Sequence, residues 1–213
     1  DMGGVFVIYL YKNVDNIPIF DFYDMPEERI LKMVNYKKKE DKIMCYATFQ
    51  LLKYALNLEY GIEISKKTEF GYKIRGKPYL LQYPKIHFNI SHCYPVALCF
   101  VADEEVGADV QTIVKKDDLE IIKLVGSPSE IRKLEKAPNP QCYFTRLWTL
   151  KESYLKYLGK GLDDALSRYD FGQVNTNRFS AFGTDFFSKQ IGKYYISVCK
   201  RKIQSKDIQI IKM

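Results

Sequence analysis

Long apolar runs are missing from this sequence. The most hydrophobic opening stretch, GGVFVIYLY, is too short to span a bilayer and reads as a β-strand. No N-terminal stretch joins a basic flank and an apolar run to a small-residue cleavage site, as a secretory leader would. Cysteine is sparse. Cys45, Cys93, Cys99, Cys142 and Cys199 are odd in number and none sits in C-x-x-C spacing. That pattern excludes a disulfide or zinc framework, and most of the five lie in apolar runs, as buried small hydrophobes do in a reducing compartment. A soluble cytoplasmic protein with no membrane partner is expected. No G-x-S-x-G elbow, helix-turn-helix or aromatic-stacking motif appears. Acidic charge is also in deficit: 33 basic residues face 26 acidic ones, for a net charge of +7. The excess is moderate. It favours acidic partners or phosphorylated ligands and does not by itself call for nucleic acid. The run KKKEDK reads as a solvated helix start.

What is present suffices for a core. The chain has 213 residues and 46% apolar content, enough for one large domain or two small ones. A strand is expected at Val5–Tyr11, then a helix start at DMPEERILK with Asp24 as cap. A long amphipathic helix, EDKIMCYATFQLLKYALNLEY, ends at Gly61. A short segment around Ile74 and a Gly–Pro turn at RGKPYL follow, then the strands KIHFNIS and PVALCFVA, and a further strand in EEVGADVQTIV. In GSPSEIRKLEK, Ser127 is the expected cap, Pro128 the first position and Glu130 the closure of a capping box. A Pro-Asn-Pro break precedes a helix carrying Trp148, and the tail holds strand-like runs such as KYYISVC and DIQIIKM.

The halves resemble each other. LKY at Leu52–Tyr54 recurs at Leu155–Tyr157, 103 positions on, and the same offset carries Glu27, Arg29 and Leu31 onto Glu130, Arg132 and Leu134. It also lays the strand at Val5 over the strand at Ala108. Two similar α+β lobes are expected, 1–105 and 106–213, each a helix on a small, mainly antiparallel sheet.

Three constellations carry candidate chemistry. In HFNISH, strand alternation puts Ile86, Phe88 and Ile90 on one face and His87, Asn89 and Ser91 on the other, with His92 at the strand end. A serine and a histidine there offer a hydroxyl and an imidazole to a phosphate oxygen, or simply stabilise a turn. In VGADVQTI, Asp109 and Gln111 share one face of a strand. An aspartate inside an apolar strand is costly unless paired. A hard divalent ion satisfies it; an exposed edge would also. In RLWTLKESYLKYLGKGL, Glu152 and Lys156 lie four residues apart on a helix. The bland reading is an exposed ion pair worth about 0.3–0.5 kcal/mol. The alternative is that Glu152 joins Asp109 if the helix packs across that strand, with Lys151, Lys156 and Lys160 as cations for a phosphate.

At these residues the chain resembles the 4′-phosphopantetheinyl transferases of the Sfp type. Their pattern is F-N-x-S-H, then G-x-D-x-E, then W-x-x-K-E-S/A-x-x-K followed by G-K-G-L. FNISH at Phe88–His92, GADVQ at Gly107–Gln111, WTLKESYLK at Trp148–Lys156 and GKGL at Gly159–Leu162 follow it in order, and RGKPYL at Arg75–Leu80 is similar to a family turn. The likeness runs from about Pro26 to Leu162. It implies transfer of the phosphopantetheine arm of coenzyme A to a serine of an acyl or peptidyl carrier protein, with Mg²⁺ as cofactor and release of adenosine 3′,5′-bisphosphate. It implies that Asp109 and Glu152 hold Mg²⁺ with Gln111 in the third place. His92 and Lys156 are implied to bind phosphate oxygens, and Lys77 and Ser91 to contact the nucleotide end. Glu130 matches a position proposed to help deprotonate the serine, in competition with its capping role. The fold implied is two lobes related by pseudo-twofold symmetry, in a monomer. Two departures stand out. Gln111 replaces a common Glu, and Met44 stands near a common Arg that grips the 3′-phosphate, leaving Lys42 or Lys39 to substitute. A non-catalytic module binding coenzyme A or a carrier is the alternative. Lys115, Lys116, Lys123 and Leu124 are candidates for the carrier face, or a solvated helix.

Overall fold

A computed structural model of the chain describes residues 6–16, 24–161, 166–203 and 208–212. Val5 and Leu162, which the readings above include, lie outside these. The fold is α+β and divides into two compact units, one reaching to Val106 and the other running from Gly107 to Ile203.

The first unit opens with β1 (Phe6–Tyr11), followed by α1 (Glu27–Asn35) and α2 (Lys39–Tyr60). Two hairpins follow: β2 (Phe70–Tyr72) with β3 (Pro78–Leu80), and β4 (His87–Cys93) with β5 (Val96–Ala102). In α2, Phe49, Leu52, Ala55 and Leu56 pack with Tyr9, Phe88, Ala97, Cys99 and Val101 of the sheet. The helix ends where the sequence places its end. Gly61 adopts φ 64°, which closes the helix with its N–H on the Asn57 carbonyl, 2.8 Å away. The expected cap of α1 differs. Pro26 occupies the N-cap, and Asp24 instead pairs with Lys53 of α2. A long-range ion pair has removed the aspartate from its local partner. The segment around Ile74 is the turn joining β2 to β3, and Gly76 at φ 81° lets it reverse.

The second unit holds β6 (Val106–Thr112, its first residue in the first unit), α3 (Ile122–Val125), α4 (Pro128–Lys136), α5 (Pro140–Leu158) and β7 (Arg178–Ala181). It continues with β8 (Thr184–Ile191) and β9 (Tyr194–Lys200), in the sheet order β6-β9-β8-β7. The Ser127 capping box forms as the sequence suggests. Helix α5 lies unusually near its sheet because its inner face is small. Thr145, Thr149 and Ser153, each four residues apart and buried, form one stripe. Thr149 Oγ1 lies 2.7 Å from Ser197 Oγ, which donates to Ser188 Oγ at 3.0 Å. The closest approach is at Gly107. A methyl group there would sit 1.9 Å from the Ser153 carbonyl oxygen and 2.7 Å from the Tyr157 nitrogen. Only glycine admits the helix backbone so near the strand.

The last strand, β10 (Ile208–Lys212), differs from the expected second-lobe assignment. It pairs parallel with β1, giving the first unit the sheet order β10-β1-β5-β4. Alternating apolar residues mark DIQIIKM as a strand but say nothing about which open sheet edge it completes.

A candidate cation and phosphate site

Because Gly107 faces α5, the side chains two and four residues further along β6 point to the same layer. These are Asp109 and Gln111. Asp109 is 1% exposed, and Gln111 is half-buried. From α5, Lys156 reaches off the helix and donates to Asp109 Oδ1 at 2.6 Å. Glu152, one turn earlier, is also drawn inward. Its Oε1 is buried and meets no hydrogen-bond donor among the described residues. Burial pushes the Glu152 carboxyl above the usual carboxylate range, the charge of Asp109 adds to this, and Lys156 offsets part of it. Asp109, Glu152 and Lys156 therefore share one electrostatic environment. An exposed i,i+4 ion pair does not describe them.

Two carboxylates and an amide oxygen make an all-oxygen donor set, suited to a hard divalent ion, and a buried carboxylate oxygen without a donor is what such an ion satisfies. Among the described residues, no three His, Cys, Asp or Glu side chains come together to hold a metal.

Glu130 lies in a different setting. Its Oε2 accepts from the Ser127 backbone N–H at 2.7 Å and lies 2.9 Å from Lys151 Nζ, while its Oε1 accepts from the Phe171 N–H at 2.8 Å. Lys151 also donates to the carbonyls of Leu166 at 2.8 Å and Tyr169 at 2.6 Å. Both side chains are 0% exposed. Lys151 is therefore no phosphate ligand, contrary to the sequence reading that grouped it with Lys156. It ties α4, α5 and the 166–171 segment into one polar knot. Asp170 extends the knot, accepting from Ser129 Oγ at 2.6 Å and from the Gly172 N–H at 2.7 Å.

The remaining candidates belong to the first unit. Ser91 is buried and His92 exposed, adjacent near the end of β4. Lys42 and Lys39 are exposed on the first turn of α2, and Met44 is in the core. Lys77 is buried. It donates to Glu105 Oε2 and to the Val106 carbonyl, both at 2.7 Å. Glu105 also meets Lys73 and, at 3.2 Å, His87. Burial works against its charge, but the hydrogen bonds from Lys73 and Lys77 outweigh it and hold the carboxyl below its usual range. Glu105 escaped the sequence reading, which saw only a domain boundary there. The spacing of Lys73 and Lys77 about the Gly–Pro turn was the available signal.

Two carboxyl groups answered by one lysine, on a strand and a helix of an α+β unit, are chemically able to hold a hard cation beside a phosphate. The 4′-phosphopantetheinyl transferase superfamily matches residues 105–210. A 4′-phosphopantetheinyl transferase of Bacillus subtilis is 33% identical over 154 residues, 67% of this chain and 68% of the relative. The 4′-phosphopantetheinyl transferase Sfp of Bacillus subtilis (strain 168) is 32% identical over 146 residues, 68% of this chain and 64% of its own length. The L-aminoadipate-semialdehyde dehydrogenase-phosphopantetheinyl transferase of Saccharomyces cerevisiae is 31% identical over 156 residues, covering 68% of this chain and 56% of its own. This chain belongs to the 4′-phosphopantetheinyl transferase superfamily, a family of transferases.

Proposed function

We propose that this chain transfers the 4′-phosphopantetheine arm of coenzyme A to a serine of an acyl or peptidyl carrier protein, releasing adenosine 3′,5′-bisphosphate. The observation that carries the reading is the convergence of Asp109, Glu152 and Lys156, with the ammonium 2.6 Å from Asp109 Oδ1. In this reading Asp109 and Glu152 hold Mg²⁺, with Gln111 as a neutral oxygen donor. When bound, the ion supplies charge neutralisation at the pyrophosphate as the P–O bond to the leaving nucleotide breaks. Lys156 and His92 donate to phosphate oxygens, Ser91 orients the nucleotide end, and Lys42 takes the 3′-phosphate. Lys77 joins that set by exchanging its present partners, Glu105 and Val106, for the nucleotide.

We assign Glu130 to the structural role and not to serine deprotonation, because both of its oxygens are committed inside the knot. Leu124, 83% exposed beside Lys123, and Lys115 and Lys116 are assigned to the carrier face. Asp117, Asp118 and Glu120 dilute that basic patch, so the apolar contact of Leu124 and Ile121 carries more of the docking than charge. The two units share an order of strand, helices and a closing antiparallel hairpin, which supports their reading as diverged copies. A cytoplasmic monomer completes the reading. Its five cysteines form no disulfide among the described residues, and no helix among the described residues is long and apolar enough to cross a membrane.

Incubation of several apo carrier proteins with the chain, coenzyme A and Mg²⁺ tests this by mass spectrometry. At least one carrier gains the mass of a single phosphopantetheine arm. No gain on any of them, with coenzyme A still bound, leaves the non-catalytic binding module as the better account; the substitution of Gln111 for an acid is the feature that favours it.

A further inference from the structure

We infer that Lys156 is a built-in counter-ion that occupies, at Asp109, the place a divalent cation would take, so that the free protein binds the metal weakly until Lys156 is drawn elsewhere. The inference rests on the metal reading above and extends it to the order of events in the site.

Asp109 is almost wholly buried on β6, and a carboxylate in that position left without a cation is strongly destabilising. Lys156 meets this need with a charge-assisted hydrogen bond of 2.6 Å. Its side chain keeps 29% of its surface exposed, so its flexible stem has solvent into which to move. Lys151, the neighbouring lysine of α5, has no such freedom: it is enclosed and engaged by Glu130 and two carbonyls. Glu152 Oε1 lacks a donor among the described residues, so one lysine satisfies only part of a site that holds two carboxyl groups.

An ammonium and a divalent ion at the same carboxylate repel each other. Like charges that close together near a protein surface repel strongly, and the divalent charge doubles the effect. Lys156 must therefore leave Asp109 for the cation to bind with both carboxylates. A pyrophosphate group gives the released ammonium a new anionic partner. Metal and nucleotide are then coupled through one side chain: the cation is held firmly only when a phosphate is present to receive Lys156. This arrangement keeps Asp109 paired with a cation when the site is empty of ligand.

Mn²⁺ binding to the full chain without nucleotide, followed by electron paramagnetic resonance at pH 8, tests the inference. Lys156→Met and Lys156→Gln are compared with the parent chain, Lys156→Arg and Asp109→Asn. The glutamine variant keeps a donor at Asp109 without the charge and guards against a folding defect in the methionine variant. Both neutral variants are expected to bind Mn²⁺ at least tenfold more tightly than the parent. The arginine variant stays near the parent, and Asp109→Asn binds more weakly. Equal or weaker binding by both neutral variants, with Asp109→Asn still impaired, overturns the counter-ion role and leaves the metal site standing. No specific Mn²⁺ binding by any of the proteins overturns the metal reading and this inference together.

Discussion

Glu152→Gln is expected to lower phosphopantetheine transfer by about 10²–10³-fold while leaving the chain as stable as the parent or more so. The two effects have one origin. Glu152 is half-buried with its Oε1 enclosed, and both desolvation and the like charge of Asp109 oppose its ionised form. A neutral amide of the same shape relieves that cost, so thermal unfolding moves upward or not at all. The same change removes one of two full negative charges from the cation site, so the developing charge of the transfer reaction loses its counterweight. A side chain that merely packed α5 would give the opposite pattern, with stability falling and turnover following it. Parallel measurement of turnover and thermal midpoint separates the two. Loss of both together contradicts the assignment of Glu152 to the site.

Lys151→Met should act on stability instead, by about 3–5 kcal/mol in denaturant unfolding. The loss of the ammonium leaves the Glu130 carboxylate charged and 0% exposed, with the Leu166 and Tyr169 carbonyls short of a donor. The double change Lys151→Met with Glu130→Gln recovers part of the loss, because the uncompensated charge is gone and the amide oxygen still accepts from one of the Ser127 and Phe171 N–H groups. Protein that remains folded retains its metal affinity, since the knot and the Asp109 site share no side chain. Failure of the double variant to recover any stability would mean that the carbonyl contacts, and not the charge pair, hold the 166–171 segment.

Adjacent residues of one motif thus do different work, and the helix explains why sequence reading separated them only in part. Consecutive residues on a helix point about 100° apart. Glu152 and Lys156, one turn from each other, share the face toward β6, whereas Lys151 turns to α4 and the following loop. The periodic pattern made the helix legible, though not its end at Gly159, and local chemistry made the Ser127–Glu130 box legible. Convergence of Asp109 with Glu152 was legible as a condition: it required α5 to cross β6. Gly107 is the residue that meets the condition, and its role appears only when the Ser153 carbonyl is seen 1.9 Å from where a side chain would begin.

Other features leave no local trace. Asp24 has the residue type of a cap, and only the distant Lys53 makes it something else. The Glu105 cluster gathers residues from the β2–β3 turn, β4 and the approach to β6. Such contacts depend on tertiary packing and have no period along the chain. The destination of β10 belongs to the same kind, since an alternating strand fits any open edge of suitable length.

The most direct test of the central claim is a crystal structure of the chain with Mn²⁺ and coenzyme A, read by anomalous scattering. The account predicts a single ion coordinated by oxygens of both Asp109 and Glu152, with Lys156 moved from Asp109 to a phosphate oxygen. An ion bound by only one of the two acids, or held elsewhere on the chain, would contradict it.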